Sequence, residues 1–347
     1  MKKHIVLFND NVNKSGGTER MAILLANELY LRGFKITLLS LYIGKGTFFP
    51  LNPGIEIEYL SNLKFKPLKY IADIFCMRKV LKKMQPDIVI SINNMFFRTL
   101  PASIGSKCRL FSWHHRVNPI DSSTLRFKIL NILIVRFSDK FILLSKQNAD
   151  FIRKTYNNKN VISIPNPLTI QGKIIPSSLQ NKIVLYAGRI CKEKGTDLLL
   201  QAWRIVYEKF SDWCLQIVGQ LDEKFLFEKT EGVVINNAIA NIGEFYESAS
   251  IFVIPSRTES LPLVVIEAKS FGLPIVSTNW GMNAKDMIQE EVDGFIVKKN
   301  DATALAEKMM LLMENETLRR QIGTASLQSS RKYALDVIMD KWEDLLK

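Results

Sequence analysis

The sequence is poor in the residues that build metal and disulfide sites. Its 347 residues include only three histidines, and four cysteines at positions 76, 108, 191 and 214. The cysteines are scattered without C-x-x-C spacing, and neither H-E-x-x-H nor Asp-x-Asp occurs. We therefore expect no disulfide, no zinc site and no other metal held by the protein.

Long apolar runs are also missing. No run reaches the roughly 20 residues that a helix needs to cross a bilayer. The chain begins with the basic segment Met1-Lys2-Lys3-His4, as a signal peptide does, but the apolar stretch that follows ends at Asn9-Asp10. That stretch is too short for a signal peptide, so it is interpreted as a first strand and the protein is expected to be cytoplasmic.

Acidic residues are scarce in the first half of the chain. Residues 1–165 carry 26 Lys and Arg against 10 Asp and Glu, whereas residues 166–347 carry 21 against 24. A basic half of this kind suggests a nucleic acid, an anionic membrane surface or an anionic substrate as partner. No RRM, KH or helix-turn-helix signature is present, so a nucleic-acid partner is not expected.

Short apolar or β-branched runs, such as Ile251–Ile254 and Gly294–Val297, are predicted strands and alternate with helical patterns in both halves, which favours parallel, doubly wound sheets. The alternation breaks after Ile164-Pro165-Asn166-Pro167 and restarts at Lys182. The resulting prediction is two Rossmann-like domains, residues 1–167 and 181–330, joined by a linker at 168–180. A C-terminal helix within 331–347 is expected to pack back on the first domain. Because ligands bind beyond the carboxyl ends of parallel strands, the residues after each strand are the first candidates for chemistry.

Two such segments could approach a phosphate. Gly16 and Gly17 follow the first predicted strand and open a helix, where small residues and free N–H groups admit an anion. Arg189 and Lys194 leave the first strand of the second half and could converge on a diphosphate. The alternatives are an ordinary glycine-rich turn and a solvated basic loop.

Two of the three histidines follow the fifth predicted strand, in Ser112-Trp113-His114-His115-Arg116. An imidazole at that position could bind a sugar hydroxyl or handle a proton, and the alternative is a surface loop.

The most informative segment runs from Ile254 to Ala268 and reads IPSRTESLPLVVIEA. It predicts a strand, a loop with Glu259, and a helix capped by Ser260 with Glu267 about two turns inside it. One carboxylate would meet the reacting end of a ligand and the other its far end, with helix N–H groups facing a phosphate between them. The alternative is a capping Glu and a solvated helix Glu, but burying an unpaired Glu267 in so apolar a helix would be costly.

Taken together, these motifs resemble those of family 4 retaining glycosyltransferases of the GT-B fold, over essentially the whole chain. The resemblance rests on Gly16-Gly17-x-x-Arg20, Gly188-Arg189-x4-Lys194-Gly195 and the E-x7-E pair Glu259/Glu267. It implies two Rossmann-like domains that face each other across a cleft. The sequence departs from the family pattern at Gly219-Gln220 and at Gly281-Met282-Asn283, which bears on donor identity more than on activity.

The resemblance also implies roles for individual residues. Arg189 and Lys194 would hold the donor diphosphate and stabilise it as it leaves, in place of a metal. The backbone N–H groups of Leu263 and Val264 would touch the same phosphates, and Gly16 and Gly17 would face them from the other domain. Glu267 would bind the ribose and Glu259 the transferred sugar. His115, with His114 not excluded, would lie beside that sugar.

The implied activity is metal-independent, retaining transfer of a hexose or N-acetylhexosamine from a UDP-sugar, with no cofactor. The acceptor would be a glycan in O-antigen, capsule or exopolysaccharide synthesis, and the basic first half favours one that is lipid-linked. A mixed basic and apolar stretch from Lys64 to Lys83 could contact the inner face of the cell membrane, or be a solvated helix face. The rival hypotheses are a sugar-nucleotide epimerase on the same scaffold and an NAD-dependent oxidoreductase, which lacks its glycine fingerprint here.

Overall fold

The computed structural model describes residues 3–44, 46–61, 66–115, 125–170, 172–223, 225, 228–237 and 242–347. The chain divides into two compact units. The first comprises Met1–Asn166 together with Met339–Lys347, and the second comprises Pro167–Ile338.

The first unit is built on a seven-stranded parallel sheet with helices between the strands. Its strands are β1 (His4–Asn9), β2 (Lys35–Tyr42), β3 (Glu56–Ser61), β4 (Ile88–Ile92), β5 (Arg109–His114), β6 (Lys140–Leu143) and β7 (Val161–Ser163). Its helices are α1 (Gly17–Leu31), α2 (Lys66–Met84), α3 (Phe96–Ala102), α4 (Leu125–Phe137) and α5 (Lys146–Tyr156). The strand order β3-β2-β1-β4-β5-β6-β7 reverses direction between β1 and β4.

The second unit repeats this plan on six parallel strands. They are β8 (Ile183–Ala187), β9 (Cys214–Val218), β10 (Val233–Asn236), β11 (Ile251–Ile254), β12 (Ile275–Thr278) and β13 (Gly294–Val297). The helices are α6 (Thr196–Tyr207), α7 (Gly243–Ser248), α8 (Leu263–Ser270), α9 (Met282–Met287), α10 (Ala302–Glu314) and α11 (Glu316–Ser330). The order is β10-β9-β8-β11-β12-β13, so the strand order reverses between β8 and β11.

The last helix, α12 (Leu335–Leu346), begins in the second unit and enters the first at Met339. There Trp342 is buried and lies edge-on against Trp113 of β5, with ring centroids 5.0 Å apart. Arg32 at the end of α1 donates to the carboxylates of Asp340 and Glu343 at 3.0 and 3.2 Å.

Each unit encloses its own apolar core on the faces of its sheet. In the first unit, one core joins strand residues such as Val6 and Phe8 to the inner sides of α2, α3, α4 and α5, which therefore share one face of the sheet. In the second, the largest buried side chain of the core is Trp203 of α6. The central strands are buried along almost their whole length, as in β4 and β11, and the helices bury one side against them, so burial of apolar area stabilises both kinds of element.

Two Rossmann-like sheets confirm the fold predicted from the alternating pattern. Strand bounds agree closely with the predicted ones, as at Lys182, where β8 begins one residue later. The described residues of the predicted linker, 168–170 and 172–180, form no helix or strand and belong to the second unit by their contacts. The N–H of Leu168 donates to the carbonyl of Tyr333 at 2.7 Å, and that of Ser177 to Phe271 at 2.8 Å.

Candidate functional site: the strand reversal of the second unit

The loop after β8 and the loop after β11 meet at the strand reversal of the second sheet. Because β8 and β11 are paired neighbours, their carboxyl ends open on the same edge. This is the place where open parallel sheets bind their ligands. The first loop carries Arg189 and Lys194, and the second carries Glu259.

Gly195 allows these two loops to touch. It adopts φ +73°, and a Cβ built there would lie 2.0 Å from the carbonyl oxygen of Pro255. A side chain would thus be excluded by conformation and by contact with backbone. The N–H of Arg257 donates to the carbonyl of Glu193 at 3.1 Å and completes the junction.

Lys194 and Glu259 form an ion pair at this junction. The Lys194 Nζ donates to Glu259 Oε1 at 2.7 Å, and the hydroxyl of Ser256 donates to the same oxygen at 2.8 Å. The two charged side chains retain 21% and 11% of their exposure, so the pair is partly shielded from water. Partial burial strengthens such a pair and leaves it accessible to a small ligand.

Arg189 lies on the same loop but is more exposed. Its Nη2 donates to Glu193 Oε2 at 3.0 Å, and both side chains are more than half exposed. Exposed pairs of this kind contribute little to stability, so the guanidinium can exchange Glu193 for another anion at small cost. The phenol of the buried Tyr186 donates to the carbonyl of Arg189 at 2.7 Å and fixes the backbone beneath it.

An ion pair that was not predicted from the sequence joins the two loops. Arg257 donates from Nη1 and Nη2 to the two carboxylate oxygens of Asp197, at 2.6 and 2.9 Å, and Nη1 also donates to the carbonyl of Lys192. A two-pronged Arg–carboxylate pair is geometrically restrictive, so it holds the loop of Lys194 against that of Glu259. The pair joins positions 60 residues apart, and only the strand order brings them together.

Helix α8 begins later than predicted. Its first residue is Leu263 and its N-cap is Pro262, in an extended conformation and without a side-chain cap, so the prediction of Ser260 as the cap was wrong. Proline at the N-cap leaves no side-chain oxygen to cap the first N–H groups. The first turn therefore presents the backbone N–H groups of Leu263 and Val264. Glu267 is the fifth residue of the helix, just over one turn inside it rather than two.

Glu267 is 3% exposed and has hydroxyl partners, so the premise of an unpaired buried carboxylate was wrong. Its Oε1 accepts from the hydroxyl of Thr169 at 2.7 Å, and its Oε2 accepts from the phenol of Tyr246 at 3.1 Å. Both partners are also buried. They could not be identified from sequence because they lie on other segments, 98 and 21 residues away.

The first unit holds the remaining candidates at the edge of its own sheet. Gly16 is the N-cap of α1, with φ −75° and ψ 161°, and Gly17 is its first residue. Neither glycine has a positive φ. A Cβ built on Gly16 would lie 2.3 Å from Oε2 of Glu19, so a contact within the first unit also bears on this position, and close approach of a ligand stays a prediction.

His114 is the last residue of β5 and His115 follows it, and both are buried rather than on a surface loop. The N–H of His115 donates to Asn93 Oδ1 at 2.9 Å, and its ring lies against Trp113 with centroids 4.1 Å apart. Burial, together with the neighbouring His114, lowers the pKa of His115 to about 3, so its imidazole is neutral at physiological pH. Arg116, which follows, lies outside the described residues.

Among the described residues, no group of three or more His, Cys, Asp or Glu is placed to hold a metal ion. The structure brings together the predicted residues of the second unit, with Lys194 and Glu259 in direct contact and Glu267 on the helix that follows. Gly16, Gly17 and His115 lie in the first unit.

Known protein families match both units in turn. The family described as Glycosyltransferase Family 4 matches residues 15–171, and the one described as Glycosyl transferases group 1 matches residues 170–328.

Three relatives extend over nearly the whole chain. An uncharacterised glycosyltransferase of Haemophilus influenzae is 30% identical and covers 99% of this chain and all of its own length. The amylovoran biosynthesis glycosyltransferase AmsD of Erwinia amylovora is 27% identical, with 100% of both chains covered. An α-1,4-N-acetyl-D-galactosaminyltransferase of Campylobacter jejuni, named for an acceptor on diphospho-undecaprenol, is 25% identical and covers 96% of this chain and 95% of its own.

Solved structures show the same fold at lower identity. Sucrose-phosphate synthase of Thermosynechococcus elongatus superposes with a TM-score of 0.80 at 16% identity, over 99% of this chain and 98% of its own. HepE of Anabaena, solved with UDP and glucose, gives 0.78 at 17% identity over 99% of both chains. From the matched families, the full-length relatives and the two parallel sheets, the chain belongs to glycosyltransferase family 4 and has the GT-B fold.

Proposed function

We propose that this glycosyltransferase moves a hexose or N-acetylhexosamine from a UDP-sugar to a lipid-linked glycan during synthesis of a bacterial surface polysaccharide. The observation that carries the proposal is the junction of Lys194, Ser256 and Glu259 beside the uncapped first turn of α8. It combines a phosphate-binding cation, a sugar-binding carboxylate and free N–H groups at the strand reversal.

In this proposal the donor diphosphate replaces the carboxylate partners of two cations. Lys194 leaves Glu259 and Arg189 leaves Glu193, and both then pair with phosphate oxygens. The N–H groups of Leu263 and Val264 donate to the same phosphates, as helix N-termini do. In the first unit, Gly16 and Gly17 are the residues proposed to face the diphosphate.

The released Glu259 then accepts hydrogen bonds from hydroxyls of the transferred sugar, while Ser256 keeps its carboxylate in place. Glu267 accepts from the ribose hydroxyls. His115, neutral because it is buried, hydrogen-bonds the sugar without acting as a general acid.

We infer retention of the anomeric configuration from the family resemblance. The bond between the anomeric carbon and the diphosphate breaks as an acceptor hydroxyl bonds to the same face of that carbon, and the hydroxyl proton passes to the departing diphosphate oxygen. Arg189 and Lys194 stabilise the charge that develops on the leaving group, so no metal is required in this proposal.

The names of the relatives support the acceptor and the setting. The Campylobacter relative is named for a glycan on diphospho-undecaprenol, and the Erwinia relative for the biosynthesis of amylovoran. UDP as the donor nucleotide is supported by the Anabaena structure, which holds UDP.

A lipid-linked acceptor would require contact with an anionic membrane, and the first unit has a surface that suits it. Helices α2 and α4 lie on one face of the sheet, and they contain six and three Lys or Arg, with Asp73 as their one acidic residue. Among the described residues, their outward sides expose apolar side chains, 39% to 62% exposed: Tyr70, Ile71, Phe75, Ile129, Ile132 and Phe137.

On each helix the exposed positions follow a helical stripe. Ile71 and Phe75 precede Lys79 and Lys82 on α2, and Ile129 and Ile132 precede Arg136 on α4. Cations beside apolar side chains suit a headgroup layer, so we propose peripheral binding to the cytoplasmic face of the membrane. Lys64 and Phe65, part of the predicted basic stretch, lie outside the described residues, and no helix within them is long and apolar enough to span a bilayer.

The first experiment is a thermal-shift panel with UDP, GDP, ADP, NAD and common UDP- and GDP-sugars. A ligand present at about 100 times its dissociation constant stabilises the folded protein by about 2.7 kcal/mol. We expect a selective response to UDP and UDP-sugars, followed by release of UDP from the sugar only when a polyprenol-linked glycan is added. Conversion of the donor without an acceptor would favour an epimerase, and a response to NAD alone would overturn the proposal.

A further inference from the structure

The carboxylate of Glu267 is held by two hydroxyls from separate parts of the second unit. Thr169 belongs to the segment that opens this unit, and Tyr246 belongs to α7. They donate to different oxygens, at 2.7 and 3.1 Å, so together they fix the rotation of the carboxylate plane as well as its position.

The two donors are themselves immobilised. The ring of Tyr246 is fully buried and stacks on Phe271 with centroids 5.4 Å apart and planes at 24°. Phe252 of β11 packs against the same ring at 5.8 Å. Thr169 follows Leu168, whose N–H is bonded to the carbonyl of Tyr333. The phenol of Tyr246 therefore cannot move far without disturbing a packed core, and the backbone beside Thr169 is anchored.

Neutral donors orient a carboxylate and leave its charge intact. Hydrogen bonds to a charged group are the stronger kind, so a hydroxyl of a ligand gains from meeting a carboxylate that is already oriented.

We propose that Tyr246 and Thr169 are positioning residues that orient Glu267 toward the ribose hydroxyls of the donor nucleotide. This inference rests on the proposed function, in which Glu267 binds the ribose. A merely structural role for the two hydroxyls would be to satisfy a buried carboxylate, and it would affect every ligand of the site equally.

The test compares UDP with 2′,3′-dideoxy-UDP, which lacks the hydroxyls that Glu267 would bind. Dissociation constants are measured by calorimetry for the full chain and for Tyr246→Phe, Thr169→Val and Thr169→Ser. We expect Tyr246→Phe and Thr169→Val to raise the dissociation constant of UDP roughly fivefold to tenfold. The dissociation constant of dideoxy-UDP should stay unchanged. Thr169→Ser retains the hydroxyl, and should bind UDP within about twofold of the unchanged protein.

Tyr333→Phe is the matched control, because Tyr333 is a buried tyrosine of the same unit whose phenol contacts the carbonyl of Asp286 instead. It should change neither dissociation constant. Circular dichroism of each variant checks that the fold is retained.

The outcomes separate this inference from the proposed function. If Tyr246→Phe and Thr169→Val weakened the binding of UDP and of dideoxy-UDP equally, the positioning role would be overturned and the proposed donor site would stand. Equal affinity of the unchanged protein for UDP and dideoxy-UDP would overturn the ribose role of Glu267, and the positioning role with it. Binding of neither nucleotide to the unchanged protein would overturn the proposed UDP site itself.

Discussion

The two units of this glycosyltransferase carry their charges in different ways. In the second unit, cations meet defined carboxylates inside or at the edge of the fold: Lys194 meets Glu259, Arg257 meets Asp197 and Lys269 meets Asp293. In the first, cations outnumber acidic residues 26 to 10 over residues 1–165, and many lie on the outer helices α2 and α4. Fixed charges suit a small anion of defined shape, whereas distributed charges suit an extended anionic surface.

The largest effect is expected from breaking the most buried of these pairs. The Lys269 ammonium donates to Asp293 Oδ2 at 2.6 Å and to Ser329 Oγ at 3.0 Å, and burial lowers its pKa to about 8 despite the carboxylate. Lys269→Met would leave Asp293 buried without its cation, and should lower the free energy of unfolding by about 3–5 kcal/mol. Urea unfolding measures the loss, and hydrogen exchange should place it in the second unit.

Lys298 is an exposed lysine of the same unit, and Lys298→Met is the control. It should leave the free energy of unfolding nearly unchanged. If Lys269→Met also left the free energy of unfolding nearly unchanged, the buried ion pairs of the second unit would not stabilise its fold, and the contrast with the first unit would be wrong.

Lys194→Ala tests the catalytic use of the fixed charges. Losing the cation that stabilises the leaving diphosphate should lower kcat by roughly 100- to 1000-fold. The change in stability should be much smaller because the pair is partly exposed. Steady-state release of the nucleoside diphosphate measures kcat, and Lys192→Ala, an exposed lysine on the same loop, is the matched control. A folded Lys194→Ala protein with full activity would contradict the site.

Reversing the charges of three lysines on α2 tests whether the distributed cations of the first unit bind an anionic membrane. Lys79→Glu, Lys82→Glu and Lys83→Glu together should weaken binding to vesicles of anionic phospholipid by roughly 100-fold or more, since each cation near such a surface contributes about 1 kcal/mol. Co-sedimentation at physiological salt measures the effect.

Lys209→Glu, Lys298→Glu and Lys299→Glu make the same change of net charge in the second unit, on lysines that are also exposed. These control substitutions should weaken vesicle binding far less. Equal weakening by both sets would mean that net charge, not the helices α2 and α4, governs the interaction.

The smallest effect per step is expected from a change of one pH unit at the buried histidine of the first unit. The pKa of His115 falls from 6.5 to about 3 on folding, mainly because of burial. The unfolded chain thus binds a proton that the folded chain does not, and stability is lost as pH falls from about 6.5 toward 3. The slope from this residue is at most about 1.4 kcal/mol per pH unit.

His115→Gln should flatten that slope in urea unfolding, with hydrogen exchange of β5 as the local readout. An unchanged slope would show that His115 is not the neutral, buried group that distinguishes the first unit.

The buried strands of the second unit could be predicted from the sequence, but its exposed strand could not. Alternating apolar runs predicted β11 (Ile251–Ile254) and β13 (Gly294–Val297) with their observed bounds, because a buried parallel strand leaves a continuous apolar pattern. The half-exposed strand β10 (Val233–Asn236) leaves no such pattern and was missed. The start of α8 was also misplaced, because the sequence offered Ser260 as a better cap than Pro262.

The sequence by itself determined the family, the two parallel sheets and the placement of Lys194 and Glu259 on loops that follow strands, since strand periodicity and motif spacing are local properties of the chain. Only the tertiary structure decided the partners: Arg257 with Asp197, and Thr169 and Tyr246 with Glu267. These contacts join segments 21 to 98 residues apart, and the order of the strands, not the order of the residues, sets which side chains meet at one edge of a sheet.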